Sequence, residues 1–192
     1  MAIGTIPTTA SVADAPEPEG LYEVVEGRIV EKPPMGALEV WIAARLVEAL
    51  VLFVGAGQQG RVVPEMLFVL DRERGRNRRP DVAYVSNARW PMSRRPPRSA
   101  AWDVIPDLAV EIISPNNLAD DDMEKLDEYF RSGVGLVWII YPGQSRVYVY
   151  DSPTSVRILQ RDDELDGGAV LPGFRLGLSA IFEDEAEPPS QV

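Results

Sequence analysis

Cysteine and histidine are both missing from these 192 residues, and lysine occurs only twice, against seventeen arginines. Without cysteine there are no disulfides, no thiolate metal sites and no thiol nucleophile. Without histidine, the commonest general base near neutral pH and the commonest zinc ligand are gone. Hydrolytic chemistry must then come from carboxylates, lysine, serine, threonine or tyrosine. A carboxylate site suits a hard, oxygen-seeking ion such as Mg²⁺ or Mn²⁺. No apolar run approaches the roughly 18 residues of a membrane span. The first twenty residues are rich in Pro, Ala and Thr and then acidic, unlike a signal peptide, so a cytoplasmic protein away from membranes is expected.

What is present describes a globular chain: 45% apolar and 26% charged residues, enough to close one core around a sheet. The formal charge of −11 argues against a nucleic-acid partner, since phosphate contact favours basic surfaces. The charge is unevenly spread. Residues 72–98 carry nine arginines against Glu73 and Asp81, a local +7 that leaves −18 for the rest. Either a basic patch beside an acidic site or a solvated arginine loop accounts for that window.

The pattern divides the chain into a flexible segment at 1–20, one folded domain at 21–182 and an acidic flexible tail at 183–192. Within the domain, Leu21–Val25 and Arg28–Glu31 read as a hairpin turning at Glu26-Gly27. A helix follows from about Gly36 to Val51, with Ile42, Ala43, Leu46, Val47 and Leu50 on its apolar stripe, before a loop marked by Gly55, Gly57 and Gly60. Val62–Leu70 is strand-like, with Pro64 suiting an edge position. Arg72–Arg79 reads as a polar loop, Asp81–Val85 as a strand opened by Pro80, and 86–106 as a proline- and arginine-rich excursion. Asp107–Ile113 is apolar on both faces except at Glu111, which suits a central strand. Asn117 is placed to cap a helix over about Leu118–Arg131. Gly135–Tyr141 and Arg146–Tyr150 make a hairpin around Pro142-Gly143, Ser155–Leu159 adds a strand, and Leu171–Phe182 closes the domain. The expected class is mixed α/β (α+β), a central mixed sheet flanked by a few helices.

Four residues in this frame have chemistry to offer. Glu111 is a carboxylate in a central strand, which is costly unless it is paired with an arginine, solvated or bound to a cation. Asp81 sits at the mouth of its own strand, where it serves either as a strand-start hydrogen bonder or as the second carboxylate of a metal site. Lys125 lies mid-helix at the border of the apolar face formed by Leu118, Met123, Leu126, Tyr129 and Phe130, with Asp121 and Tyr129 as its i−4 and i+4 neighbours. It either snorkels to solvent or supplies a compact cation beside the metal. Glu39 falls on the core-facing stripe of the first helix, as a further oxygen ligand or as an acid at a helix N-terminus. The other lysine, Lys32, precedes Pro33-Pro34, where no chemistry suggests itself.

The strings LYEVVEGRIVE, RRPDVAYVS, PDLAVEIISPNN, DDMEKLDEYFRSGVGLVWII, VYVY and VLPGFRLGL, in that order and spacing, resemble the Uma-type restriction endonuclease family of the PD-(D/E)XK superfamily. The resemblance covers about residues 21–182 and implies a restriction-endonuclease-like fold. It implies that Asp81 is the acid of the first half-motif and Glu111 that of the second. Ile113 stands where the usual lysine would be, and Lys125 takes its place from the following helix. Family members often carry a histidine in the first helix, where this chain has Glu39. The same resemblance implies DNA phosphodiester hydrolysis with Mg²⁺ or Mn²⁺ on Asp81, Glu111, Glu39 and the Ile112 backbone carbonyl. Lys125 is then the catalytic cation, with Asp121 and Tyr129 in support. Arg78, Arg79, Arg94 and Arg95 are expected to hold backbone phosphates without reading bases. A homodimer is compatible with the family. A binding or protein-interaction module on the same fold, without catalysis, is the competing reading.

Overall fold

The computed structural model describes residues 19–57, 59–114 and 119–182, the side chains of 119–121 excepted. A hairpin of β1 (Tyr22–Val25) and β2 (Arg28–Glu31) leads into α1 (Ala37–Gly57). Strands β3 (Gly60–Pro64), β4 (Leu67–Asp71), β5 (Arg76–Arg78), β6 (Val82–Ser86), β7 (Ala101–Trp102) and β8 (Leu108–Ile112) follow. Then come α2 (Ala119–Ser132), β9 (Leu136–Tyr141), β10 (Arg146–Ser152), β11 (Ser155–Gln160), β12 (Glu164–Gly167) and β13 (Leu171–Gly177).

Six strands form the main sheet in the order β11-β10-β9-β8-β6-β3, with β8 and β9 parallel and the remaining neighbours antiparallel. The parallel pair needs a crossover, and α2 is that crossover. A second sheet, β2-β1-β5-β4-β7, and the β12–β13 hairpin complete the domain.

Strand alternation sorts the side chains of the central strands onto two faces. Val82, Tyr84, Leu108, Val110 and Ile112 join Ile42, Leu46 and Leu50 of α1 and Leu165, Leu171 and Phe174 of the hairpin in one apolar cluster. Ala83, Val85, Ala109, Val137 and Ile139 pack on the other face with Leu126 and Tyr129 of α2 and with Phe68 and Trp102 of the second sheet.

The mixed class and the central position of β8 agree with the sequence pattern, but several boundaries shift. The strand expected over Val62–Leu70 breaks at Glu65, which takes a positive φ of 46° so that the chain can leave one sheet and enter the other. The polar loop expected at Arg72–Arg79 contains β5, because pairing with β1 and β4 overrides its lack of apolar residues. Helix α1 runs through Gly55 to Gly57, held by the packing of Leu50 and Val54. The two turns of the second sheet meet where Gly27 N–H donates to the Gly75 carbonyl at 3.0 Å. Gly75, at φ 60°, has no room for a Cβ there, since one would lie 2.7 Å from the Gly27 nitrogen. Asn117, expected as the α2 cap, lies outside the described residues.

Candidate metal centre and its charge network

Strands β6 and β8 pair with Val82 opposite Val110 and Ala83 opposite Ala109. Continued by one residue, that register sets Asp81 across from Glu111. Both side chains lie on the α2 face, in line with Ala83 and Ala109. The two carboxylates are buried, 2% and 6% exposed. One oxygen of Asp81 accepts the Ile112 N–H at 2.6 Å, clamping the acid to the strand that carries Glu111.

The other Asp81 oxygen accepts from Lys32 Nζ at 2.7 Å, and the same ammonium donates to the Arg79 carbonyl at 2.7 Å. The sequence pattern missed Lys32. It stands outside any element, 49 positions from its partner, and only the second sheet brings β2 to the mouth of β6. The scarcity of lysine was the one available signal: both lysines of the chain reach this site.

Lys125 and Tyr129 reach Glu111 from α2. The crossover from β8 to β9 lays that helix over Ala109, and their i, i+4 spacing puts both side chains on its inner face. Tyr129 is fully buried and donates its hydroxyl to Glu111 Oε1 at 2.6 Å. Lys125 Nζ stands 3.6 Å from Glu111 Oε2 and 3.3 Å from Glu23 Oε1. Glu23, on β1, also receives Arg78 at 2.9 Å and the Arg79 backbone N–H at 2.9 Å. Arg78 continues to Glu128 at 2.5 Å, and Glu128 pairs with Arg76. Acids and bases thus alternate from Arg76 to Glu111, and Asp81 with Lys32 closes the chain of charges.

Burial and partners shift these groups in opposite directions. Burial raises Glu111 above its ordinary value, aided by Asp81 and only partly opposed by Lys125. Burial also acts to raise Glu23, but Lys125, Arg78 and the Arg79 N–H outweigh it and hold Glu23 low. For Lys125, burial works downward, and Glu111 with Glu23 reverses it, so the ammonium stays charged. Tyr129 is pushed well up, by burial first and by Glu111 second, and remains a proton donor.

Other candidates lie elsewhere. Glu39 is buried in the first turn of α1, its carboxylate folded over Gly36, on a helix that covers the opposite face of the sheet from Asp81 and Glu111. Arg78 is buried and committed to Glu23 and Glu128. Arg79 turns inward to the Tyr22 and Glu65 carbonyls at 3.0 and 2.6 Å. Phosphate contact expected of Arg78 thus meets a guanidinium already spent inside the fold. Arg94 and Arg95 are exposed, with Arg94 stacked 3.6 Å above the Trp90 ring. The Asp121 side chain lies outside the described residues.

Two carboxylates on adjacent strands, with the Ile112 carbonyl nearby, are a hard-oxygen set of the kind that holds Mg²⁺ together with water and phosphate. Lys32 fits that character, since its ammonium sits on Asp81 as a cation would. Among the described residues, no group of three or more acids is arranged to hold an ion. The residues present fit an ion shared with a phosphate, not a closed protein cage.

No curated protein matches the chain. Among solved structures, one titled "Crystal structure of a putative nuclease belonging to DUF820 from Anabaena variabilis ATCC 29413" is similar at a TM-score of 0.77 and 19% identity, over 91% of this chain and 98% of that one. At that identity the likeness shows the fold alone, and it takes the family match over residues 11–179 as well to support a PD-(D/E)XK-like fold. A second, titled "cryoEM structure DrdV-DNA complex", matches at a TM-score of 0.35 and 16% identity, over 79% of this chain and 14% of that one. Residues 11–179 match the family described as "Uma2: Putative restriction endonuclease", and the chain belongs to that family.

Proposed function

We propose that this chain is a divalent-metal-dependent endonuclease that hydrolyses phosphodiester bonds in DNA, with Asp81, Glu111 and Lys125 at its centre. The observation that carries the reading is the meeting of Asp81 and Glu111 across β6 and β8 with an ammonium beside each. Asp81, Glu111 and the Ile112 carbonyl would hold Mg²⁺ or Mn²⁺, while Glu39, on the far face of the sheet, stands outside this set. Such an ion activates water and offsets charge on a phosphate. Tyr129 orients Glu111 through its hydroxyl, and Lys125 supplies positive charge where the phosphate becomes more negative. A lysine on a helix serves as well as one on the strand, because the requirement is a charge at a position. Lys32 would release Asp81 to the ion and turn to the substrate. Exposed Arg94 and Arg95 would hold backbone phosphates.

Plasmid, linear duplex and single-stranded DNA incubated with Mg²⁺ or Mn²⁺ test this directly. Cleavage is expected, with Asp81→Ala and Glu111→Ala inactive and Lys125→Ala slower by about a hundredfold or more. In calorimetric titration, Mn²⁺ binding is expected to vanish with either carboxylate variant and to strengthen in Lys32→Met.

One observation favours a silent binding module on the same fold. Each carboxylate oxygen of the pair already has a protein donor or cation beside it. Failure of the folded protein to cut any of these substrates or to bind Mn²⁺ decides for that reading.

A further inference from the structure

Helix α1 is apolar on the side turned away from its sheet as well as on the side turned toward it. Leu38, Val40, Trp41, Val51 and Leu52 are all about half exposed or more, with Trp41 at 50% and Leu52 at 70%. Ala37, Ala44, Gly55 and Ala56 are exposed among them, and Glu48 is the one fully exposed charge on this side of the helix. A helix that is hydrophobic all round belongs in an interior, and a contiguous apolar face on a chain of net charge −11 is an interaction surface.

The order of residues along the face says what covers it. Trp41 lies near one end and Leu52 near the other, with Arg45 and Glu48 between them, 3.3 Å apart in the same helix. Turning the helix end for end about its middle exchanges Trp41 with Leu52 and Arg45 with Glu48. Two copies packed antiparallel would therefore set each Trp41 against Leu52 of the other copy, and each Arg45 toward its Glu48. A surface complementary to itself under a twofold rotation is what an isologous dimer requires. Small residues at Ala37, Ala44 and Gly55 leave room for the large ones. A lipid surface is disfavoured, since the face lacks the rim of lysines and arginines that accompanies interfacial helices.

We infer that the chain forms a homodimer in solution through the outer face of α1, the two helices running antiparallel. The inference stands apart from the proposed nuclease activity. The α1 face of the sheet is opposite the one that bears Asp81 and Glu111, so the dimer leaves both centres uncovered.

Sedimentation equilibrium of the full chain tests it. The expected mass is twice the 21.2 kDa of one chain. Trp41→Glu and Leu52→Glu, both at exposed sites, are each expected to return it to one chain with an unchanged circular dichroism spectrum. The cysteine-free background allows a second, directional test. Glu48→Cys lies next to the twofold axis, offset from its copy by about 4.5 Å along the helix, and should cross-link under mild oxidation. Ala37→Cys, about 28 Å from its copy in the antiparallel pair, should not. A monomer at tens of micromolar, a dimer indifferent to both glutamate variants, or equal cross-linking at 37 and 48 overturns the inference.

Discussion

The two faces of the central sheet are made by alternate residues of the same short strands, yet they are held by different physics. On the α1 face, Val82, Val110 and Ile112 belong to one apolar cluster, and Leu46 and Leu50 of the helix are fully buried in it. On the α2 face, Asp81 and Glu111 interrupt the pattern one residue away from each of those positions. The second sheet and α2 then bring Lys32, Arg78 and Lys125 in to meet them. The first face is non-directional, and any well-fitting hydrocarbon satisfies it. The second depends on each acid finding its own base, since a buried charge left without a partner is expensive. The difference teaches where the fold tolerates change. It also locates the candidate site, because the α2 face keeps an arrangement that stability alone does not require.

Breaking the charged face at its centre should have the largest effect. Arg78→Ala leaves Glu23 and Glu128 buried without their shared cation and is expected to cost about 3–5 kcal/mol in urea unfolding. Leu46→Ala, its counterpart on the apolar face, is expected to cost about 2–5 kcal/mol through the cavity it leaves. The comparison sharpens if Arg78→Met recovers much of the loss only when Glu23 and Glu128 are made neutral as well. Equal tolerance of Arg78→Ala and an ordinary surface substitution would break it.

Tyr129→Phe comes next. It removes the hydroxyl from the buried Glu111 Oε1 and is expected to cost about 1–3 kcal/mol. NMR titration of the Glu111 carboxyl should then show it held still higher than in the parent, because a donor to the charged form has gone.

The two acids of the network should give opposite pH dependences. Glu23 is held below its ordinary value of 4.5, so its contribution to stability is present above that value and is lost as pH falls through the folded one. Glu111 is held above 4.5, so the folded state binds its proton more tightly. Its contribution is present below 4.5 and is lost as pH rises through the folded value. Relative to the parent, Glu23→Gln should therefore lose stability as pH climbs toward 4.5. Glu111→Gln should gain stability on the parent as pH climbs beyond 4.5. Parallel pH profiles of the two variants in thermal melts would refute the assignment.

The smallest effect is expected at the surface. Arg94→Ala removes a guanidinium stacked on Trp90 in an exposed loop and should cost about 0.5–1 kcal/mol. The Arg94 carbonyl still accepts from Trp90 and Arg61. On either buried face, a substitution this mild in its effect would be the exception.

Much of this was legible in one dimension. The continuous apolar run in Leu108–Ile112 marks a strand buried on both sides, and a single carboxylate at 111 in such a strand is costly unless it is paired, solvated or bound to a cation. The i, i+4 spacing of Lys125 and Tyr129 puts them on one helix face before any coordinates are known. What did not show was the second sheet. Strand β5 reads RNR, with no apolar pattern, and acquires its state from pairing with β1 and β4. Without that sheet nothing singles out Glu23, Lys32 stands before two prolines with no chemistry of its own, and Arg78 reads as a phosphate-holding arginine.

The chain's own composition and periodicity determined that this is a cysteine- and histidine-free mixed α/β domain with one acid in each of two separate strands. These are properties of residue type and local spacing, and they survive without knowledge of contacts. Only the tertiary structure decided which base meets which acid, because Lys32 with Asp81, Arg78 with Glu23 and Lys125 with Glu111 are joined through space across different elements. Coulomb attraction and burial act over ångströms, and nothing in sequence distance reports them.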